Sequence, residues 1–384
     1  MTFVMKTYNP FPITVSHAKG IYIYDKSGNR FIDTFSGIGV LNFGHSNDEI
    51  IQSVCEKLKR YSHLSNFFKD PDIDFVSETL IKRSNSNNGK IFFTNSGAES
   101  IETAIKAIHK YKKGKIISFV GNFHGRTYKA LSITGMNNIR TKFVMPDDEA
   151  MFLPHNNYLA LEHYFKLTGG YDVAAVVIEP ILGSGGIKKL TSNFVKTLIK
   201  LRKKYRFILL IDEIQAGLGR TGKFYAHQNW EHLNPDIITI AKSIGGGIPL
   251  GATIFFNEFS EIFSLGEHGS TFAPNPLALA AAKIVLKKLT PELLQSVKEK
   301  GNYLLNELKK IKSPIIKEVR GLGLMLGIEI VEDKAKLIKK IAFQNKLLLN
   351  ITNKNVIRLL PPLNINYQEI DEILEILNKI FKKI

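Results

Sequence analysis

Residues 207–222 read Phe-Ile-Leu-Leu-Ile-Asp-Glu-Ile-Gln-Ala-Gly-Leu-Gly-Arg-Thr-Gly. Five apolar residues in succession, closed by two acids and a glycine-rich turn, are the pattern of a strand buried on both faces. Asp212 and Glu213 then fall at its carboxyl end, where open α/β sheets bind their ligands. A carboxylate there is either the solvated start of a loop or a functional charge. The glycines at 217–222 also fit the dinucleotide pattern GxGxxG, which would make the chain an NAD-dependent oxidoreductase. The acidic pair intervenes before them, however, and 223–225 opens no clear helix, so the motif is weak.

Working outward, similar apolar runs occur at 91–94, 116–120, 174–178, 237–240 and 253–256. Helical patterns lie between many of them, at 98–111 and at 191–205, the latter with Thr191 as N-cap. Strands alternating with helices predict an α/β fold with a mostly parallel sheet. The ends read differently. Residues 20–35 predict a hairpin turning at 26–29. After residue 273 come two long helices, the second opened by Thr290-Pro291-Glu292. Strand-like 323–330, a helix near 333–345, strand-like 356–359 and a terminal helix from Tyr367 follow. We expect a large central domain over 45–272, and a small α+β domain built from 1–44 and 273–384.

Two further stretches carry chemistry. Asn95-Ser96-Gly97-Ala98-Glu99 follows an apolar run and opens a helix. Free N–H groups and the helix dipole suit a phosphate there, and glycine permits close approach; a plain turn capped by Ser96 has the same sequence. In Asp236-Ile-Ile-Thr-Ile-Ala-Lys242-Ser-Ile-Gly-Gly-Gly-Ile-Pro249 a lysine ends an apolar strand ahead of three glycines. Such a lysine is either solvated or, when partly buried, lowered in pKa and able to form an imine with a carbonyl cofactor.

Composition sets bounds. Hydrophobic residues make up 44% of 384, which fits a globular chain with a large core. Segment 1–12 lacks the apolar stretch of a signal peptide, and no run of about 18 apolar residues would span a membrane. The single cysteine, Cys55, lies in a helical pattern over 48–61 and reads as a reduced core or semi-exposed thiol. These features predict a cytoplasmic location. The net charge of +17 comes from lysines scattered on helix faces without interleaved aromatics, so nucleic-acid binding is not expected. A positive field would still attract anionic substrates.

As a set, 95–99, Phe123-His124-Gly125-Arg126-Thr127, Ile178-Glu179-Pro180, Asp212-Glu213-Ile214-Gln215, Ala241-Lys242, Gly245-Gly246-Gly247 and Ser270-Thr271 resemble the class III aminotransferases in order and spacing. The resemblance runs from Gly20 to near Pro361. It implies fold type I, pyridoxal 5'-phosphate (PLP) as cofactor, and a homodimer with active sites shared between subunits. It makes Lys242 the lysine that holds PLP and later shuttles the proton, and Asp212 the partner of the pyridine nitrogen. Gln215 would reach the ring hydroxyl and Phe123 would stack on the ring. Ser96, Gly97 and Ala98 would cradle the phosphate, with Thr271 reaching it from the partner subunit.

The resemblance also implies substrates. Arg126 matches the arginine that binds a substrate carboxylate in members acting on N-acetylornithine and ornithine. Arg358 matches a second carboxylate-binding arginine, and Ser270 a substrate-contacting position. Ornithine members carry tyrosine where this chain has Ile38, and an apolar residue suits an acylated amine or an ω-amino acid better than a free α-ammonium. The expected reaction moves the ω-amino group of N-acetylornithine to 2-oxoglutarate, a step of arginine biosynthesis. GABA or ornithine is the alternative donor, since Gly39-Val40-Leu41-Asn42 also resembles GABA-acting members. Three departures stand out: Ser184 replaces the family's glutamate that pairs with the second arginine, Ala273-Pro274 replaces two glycines, and Ala216 replaces a small hydroxyl or thiol residue.

Overall fold

A computed structural model describes residues 3–86, 88–145 and 150–384; Met1 and Thr2 of the N-terminal segment read above lie outside them. The N-terminal strands Val15–Lys19 (β1), Tyr22–Asp25 (β2) and Arg30–Asp33 (β3) form an antiparallel meander. The predicted turn at 26–29 is present, with Asp25 Oδ1 accepting from the backbone N–H groups of Ser27 and Asn29.

The central sheet contains Gly89–Thr94 (β4), Lys115–Phe119 (β5), Ala150–Leu153 (β6) and Val173–Ile178 (β7). The short ribbon Ile181–Leu182 (β8) and Lys188–Lys189 (β9) comes next, then Ile208–Asp212 (β10), Ile237–Ile240 (β11) and Gly251–Phe256 (β12). Seven strands run in the order β4-β12-β11-β10-β7-β5-β6. All are mutually parallel except β12, which is antiparallel to both neighbours. Strands β7, β10, β11 and β12 are buried along their whole length, because helices cover both faces. The reversal of β12 and the seventh strand, β6, were not expected; four residues at the sheet edge carry too weak a pattern to be read.

Helices Gly97–Tyr111 and Ser192–Tyr205 open as expected, with Ser96 Oγ accepting from Glu99 N and Thr191 Oγ1 from Phe194 N. Pro276–Lys288 and Pro291–Lys310 each begin with proline in the first turn. The first of them packs on helix Asp48–Arg60 of the central region. A second antiparallel sheet combines Ile316–Leu322 (β13), Met325–Ile330 (β14), Asn350–Thr352 (β16) and Val356–Leu359 (β17) in the order β13-β14-β17-β16. Leu347–Leu348 (β15) instead pairs in parallel with β3, joining the two ends of the chain. Strand β13 escaped the sequence reading because charged residues interrupt its apolar positions.

Cys55 is exposed rather than buried, which corrects one expectation: its helix turns Ile50 and Lys57 inward, and position 55 falls on the outer face. Among the described residues no helix is long and apolar enough to cross a membrane.

Candidate functional site

The carboxyl ends of β4, β5, β10 and β11 converge on a cavity of about 480 Å³. Its lining includes Asn95, Ser96, Gly97, Ala98, Phe123, Arg126 and Lys242. Residues from four distant segments are therefore brought together, as the motifs predicted.

Lys242 follows β11 directly and adopts a left-handed backbone, φ 53°, uncommon outside glycine and frequent at functional positions. Its amine is pushed down to about 8, chiefly by burial. Asp212 opposes that shift and Arg358 adds to it, so both lie within electrostatic reach of the lysine. No hydrogen bond ties the ammonium down among the described residues. It is an amine within reach of its neutral form.

Asp212 is the last residue of β10 and is buried, 3% exposed. Its Oδ2 lies 2.7 Å from His124 Nδ1, and its Oδ1 accepts from Ile214 N at 3.0 Å. Glu213, one residue on, points to the opposite face. There it accepts from the backbone N–H groups of Ala226 and His227 and from His227 Nδ1. The period of two along the chain separates the two acids: Asp212 meets His124, which lines the cavity, and Glu213 fastens a turn.

At the other wall, Ser96 caps its helix, and Gly97 and Ala98, the first residues of that helix, line the cavity. A Cβ on Gly97 would stand 2.9 Å from Ile214 Cδ1, so a larger residue here would push the Ile214 side chain aside. Phe123 is half-buried, with Arg126 over its ring at 5.9 Å. Arg126 is exposed and forms no ion pair among the described residues.

Some expected residues lie apart. Gln215 is half-buried and outside the cavity lining; its Oε1 accepts from Arg358. Arg358 is buried on β17. Ile38 has φ 65° and packs against an apolar cluster with Ile181 and Leu360. Ser270 and Thr271 line a separate cavity of about 370 Å³ with His63 and Asn66; Ser270 Oγ also accepts from Asn95 Nδ2 at 3.2 Å.

Four residues of the site had been given no role. Tyr8 and Val40 line the cavity, and His124 meets Asp212. Buried Glu179 accepts from Phe123 N at 2.8 Å and Gly183 N at 2.9 Å. Burial pushes Glu179 up to about 7, with Asp212 raising it further against the pull of His124. The motifs quoted above contain Val40, His124 and Glu179, but Tyr8 belongs to a segment with no periodic signal.

A sheet of this order, with its site at the strand ends, has the architecture of fold type I PLP-dependent transferases. The aminotransferase class-III family model matches residues 3–381. The acetylornithine aminotransferase of Aquifex aeolicus is 38% identical over 389 residues, covering 99% of this chain and all of that protein. The crystal structure of ornithine aminotransferase from Toxoplasma gondii superposes with a TM-score of 0.92 at 27% identity, covering 99% of this chain and 93% of that one. That of N-acetylornithine aminotransferase from Stenotrophomonas maltophilia gives 0.83 at 31% identity, covering 97% and 96%. The chain belongs to the class III aminotransferases.

Its cofactor is PLP, and its substrates are an amino-acid donor and 2-oxoglutarate. The residues present fit that cofactor. The cavity offers a desolvated amine without a hydrogen-bond partner and a helix start, and the His124 in its wall holds a buried carboxylate that Ile214 N also engages. Nε2 of His124 is buried without a partner at the same place.

Proposed function

We propose that this chain transfers the ω-amino group of N-acetylornithine to 2-oxoglutarate, yielding N-acetylglutamate semialdehyde and glutamate. The observation that carries the reading is a depressed, cavity-lining Lys242 within electrostatic reach of buried Asp212, which is hydrogen-bonded to the cavity-lining His124. PLP, when bound, supplies an electron sink for the carbanion formed at the donor carbon.

In this reading Lys242 would hold the cofactor, and its free amine would carry a proton at Nζ. Asp212 holds the pyridine nitrogen protonated, and His124 holds Asp212. Ser96, Gly97 and Ala98 present N–H groups to the phosphate, and Thr271 of a partner subunit completes that cradle. Phe123 packs on the ring, and Gln215 directs its amide nitrogen to the ring hydroxyl because Arg358 engages its oxygen. Arg126 and Arg358 bind substrate carboxylates, with Ser270 and Ile38 bounding the donor. Ile38 offers no hydroxyl to a free α-ammonium group, which suits an acylated amine. The acetylornithine aminotransferases among the relatives support the donor.

The reading includes a homodimer with shared sites, domain limits at 44 and 272, and a cytoplasmic location in arginine biosynthesis. Exposed Phe67, Phe68 and Phe272 beside the 270–271 turn support the dimer.

The test is a half-reaction without keto acid. N-acetylornithine bleaches the visible band of the holoenzyme at the lowest concentration, with ornithine and GABA requiring more. Bleaching by GABA or ornithine alone would overturn the donor assignment. Borohydride reduction places the stable adduct on Lys242; an adduct elsewhere removes Lys242 from the centre of the scheme.

A further inference from the structure

A second arginine is held beside the same site, and its partners are uncharged. Arg358 on β17 lies directly opposite Asn350 on β16 in an antiparallel pair, which brings their Cβ atoms to roughly 5 Å. The Nε–H and an Nη2–H of Arg358 both donate to one oxygen, Asn350 Oδ1, at 3.0 and 2.7 Å. Nη1 donates to Gln215 Oε1 at 3.0 Å and to the Gly183 carbonyl at 3.2 Å. None of these acceptors is a carboxylate, and no ion pair reaches Arg358 among the described residues. The buried acid whose field does reach it, Glu179, has both oxygens occupied by the backbone N–H groups of Phe123 and Gly183. Ser184, next to Gly183, brings no charge; its carbonyl accepts from Thr352 Oγ1 at 2.7 Å. Burial lowers Arg358 to about 10, so the guanidinium stays charged at neutral pH.

We propose that Asn350 is a specificity-determining positioning residue: its amide oxygen fixes the Arg358 guanidinium beside Gln215 without neutralising it. A carboxylate of either substrate then meets the same cation, which no ion pair holds among the described residues. The inference rests on the aminotransferase reading and adds what holds the arginine. A charge-assisted hydrogen bond is about twice as strong as a neutral one, so an incoming carboxylate competes well with the amide oxygen for the Nε–Nη2 edge. A carboxylate at position 350 would hold that edge as firmly as the substrate does and cancel the charge.

The test titrates holoenzyme with glutarate, a dicarboxylate that cannot react, by calorimetry. Asn350→Asp loses at least about tenfold in glutarate affinity, the value of about 1.4 kcal/mol. Asn350→Ala, which keeps the charge but loosens the arginine, loses clearly less. Ser184→Glu, which adds the charge from the other side, follows Asn350→Asp. In turnover, Asn350→Asp raises KM for 2-oxoglutarate by a larger factor than it lowers kcat. Retention of the visible cofactor band shows that each variant folds. Equal losses in Asn350→Ala and Asn350→Asp would make Asn350 a mere spacer and overturn the proposal, as would wild-type affinity in Asn350→Asp. A wild-type enzyme that bleaches with an amino donor yet does not bind glutarate also overturns it, while leaving the aminotransferase reading intact. Absence of bleaching with every donor sinks that reading instead, and the glutarate series still reports on Arg358.

Discussion

His124 Nδ1 lies 2.7 Å from Asp212 Oδ2, and both side chains are sealed from solvent. A carboxylate only accepts, so Nδ1 carries the hydrogen. With Ile214 N on the other oxygen, Asp212 is oriented from two sides. Asp212→Ala is expected to lower kcat by about 10²–10³-fold, the usual cost of removing a preorganised charge. His124→Ala removes one hydrogen bond to a charged group, about 1.5–3 kcal/mol, or roughly tenfold to a hundredfold. The two act as a unit, so the double variant falls no further than Asp212→Ala alone. Steady-state kinetics on the three proteins checks this, and full activity in His124→Ala would remove the histidine from the scheme.

Lys242 sets a pH dependence. A lysine must be neutral to attack the cofactor carbonyl, and burial favours its neutral form. With a pKa of about 8, about one lysine in ten is neutral at pH 7, against about one in several thousand at the ordinary value. Recombination of PLP with the apoenzyme is therefore expected to accelerate as pH rises from 6 and to level off above about 8. Stopped-flow absorbance measures the rate; a profile still rising steeply beyond pH 9 would show that the amine is not depressed.

Arg220 holds three segments together. It is fully buried, with Nη1 donating to the carbonyls of Leu324 and Pro361 and Nη2 to Asn42 Oδ1. Arg220→Met leaves those acceptors unpaired, at about 1–3 kcal/mol each. The expected result is a lower urea midpoint, corresponding to at least about 3 kcal/mol. An unchanged midpoint would mean that water replaces the guanidinium.

The apolar surface around Phe272 predicts assembly. Phe272→Asp is expected to shift the protein toward monomer in sedimentation, and to weaken PLP binding because Thr271 would no longer reach a second subunit. A monomeric wild type, or a monomeric variant with unchanged PLP affinity, would contradict the shared site.

Residues 207–213 alone determined a strand buried on both faces with an acid at its carboxyl end, because a continuous apolar run has one stable place in an α/β sheet. Lys242 beside its glycines and Ser96 at its helix start were legible for the same reason: local pattern dictates local structure. Periodicity alone did not show which acid serves the site; only the family resemblance singled out Asp212. Asp212 and Glu213 are neighbours in sequence, and only the pleat of β10 sends one to His124 and the other to His227. Nor could spacing show that Asn350 faces Arg358, since the register of β16 on β17 exists only once the sheet has formed. Tyr8 at the cavity and the left-handed Lys242 are likewise products of tertiary packing. Propensity and periodicity act over a few residues, whereas the burial and charge that tune the site come from segments tens to more than a hundred residues apart.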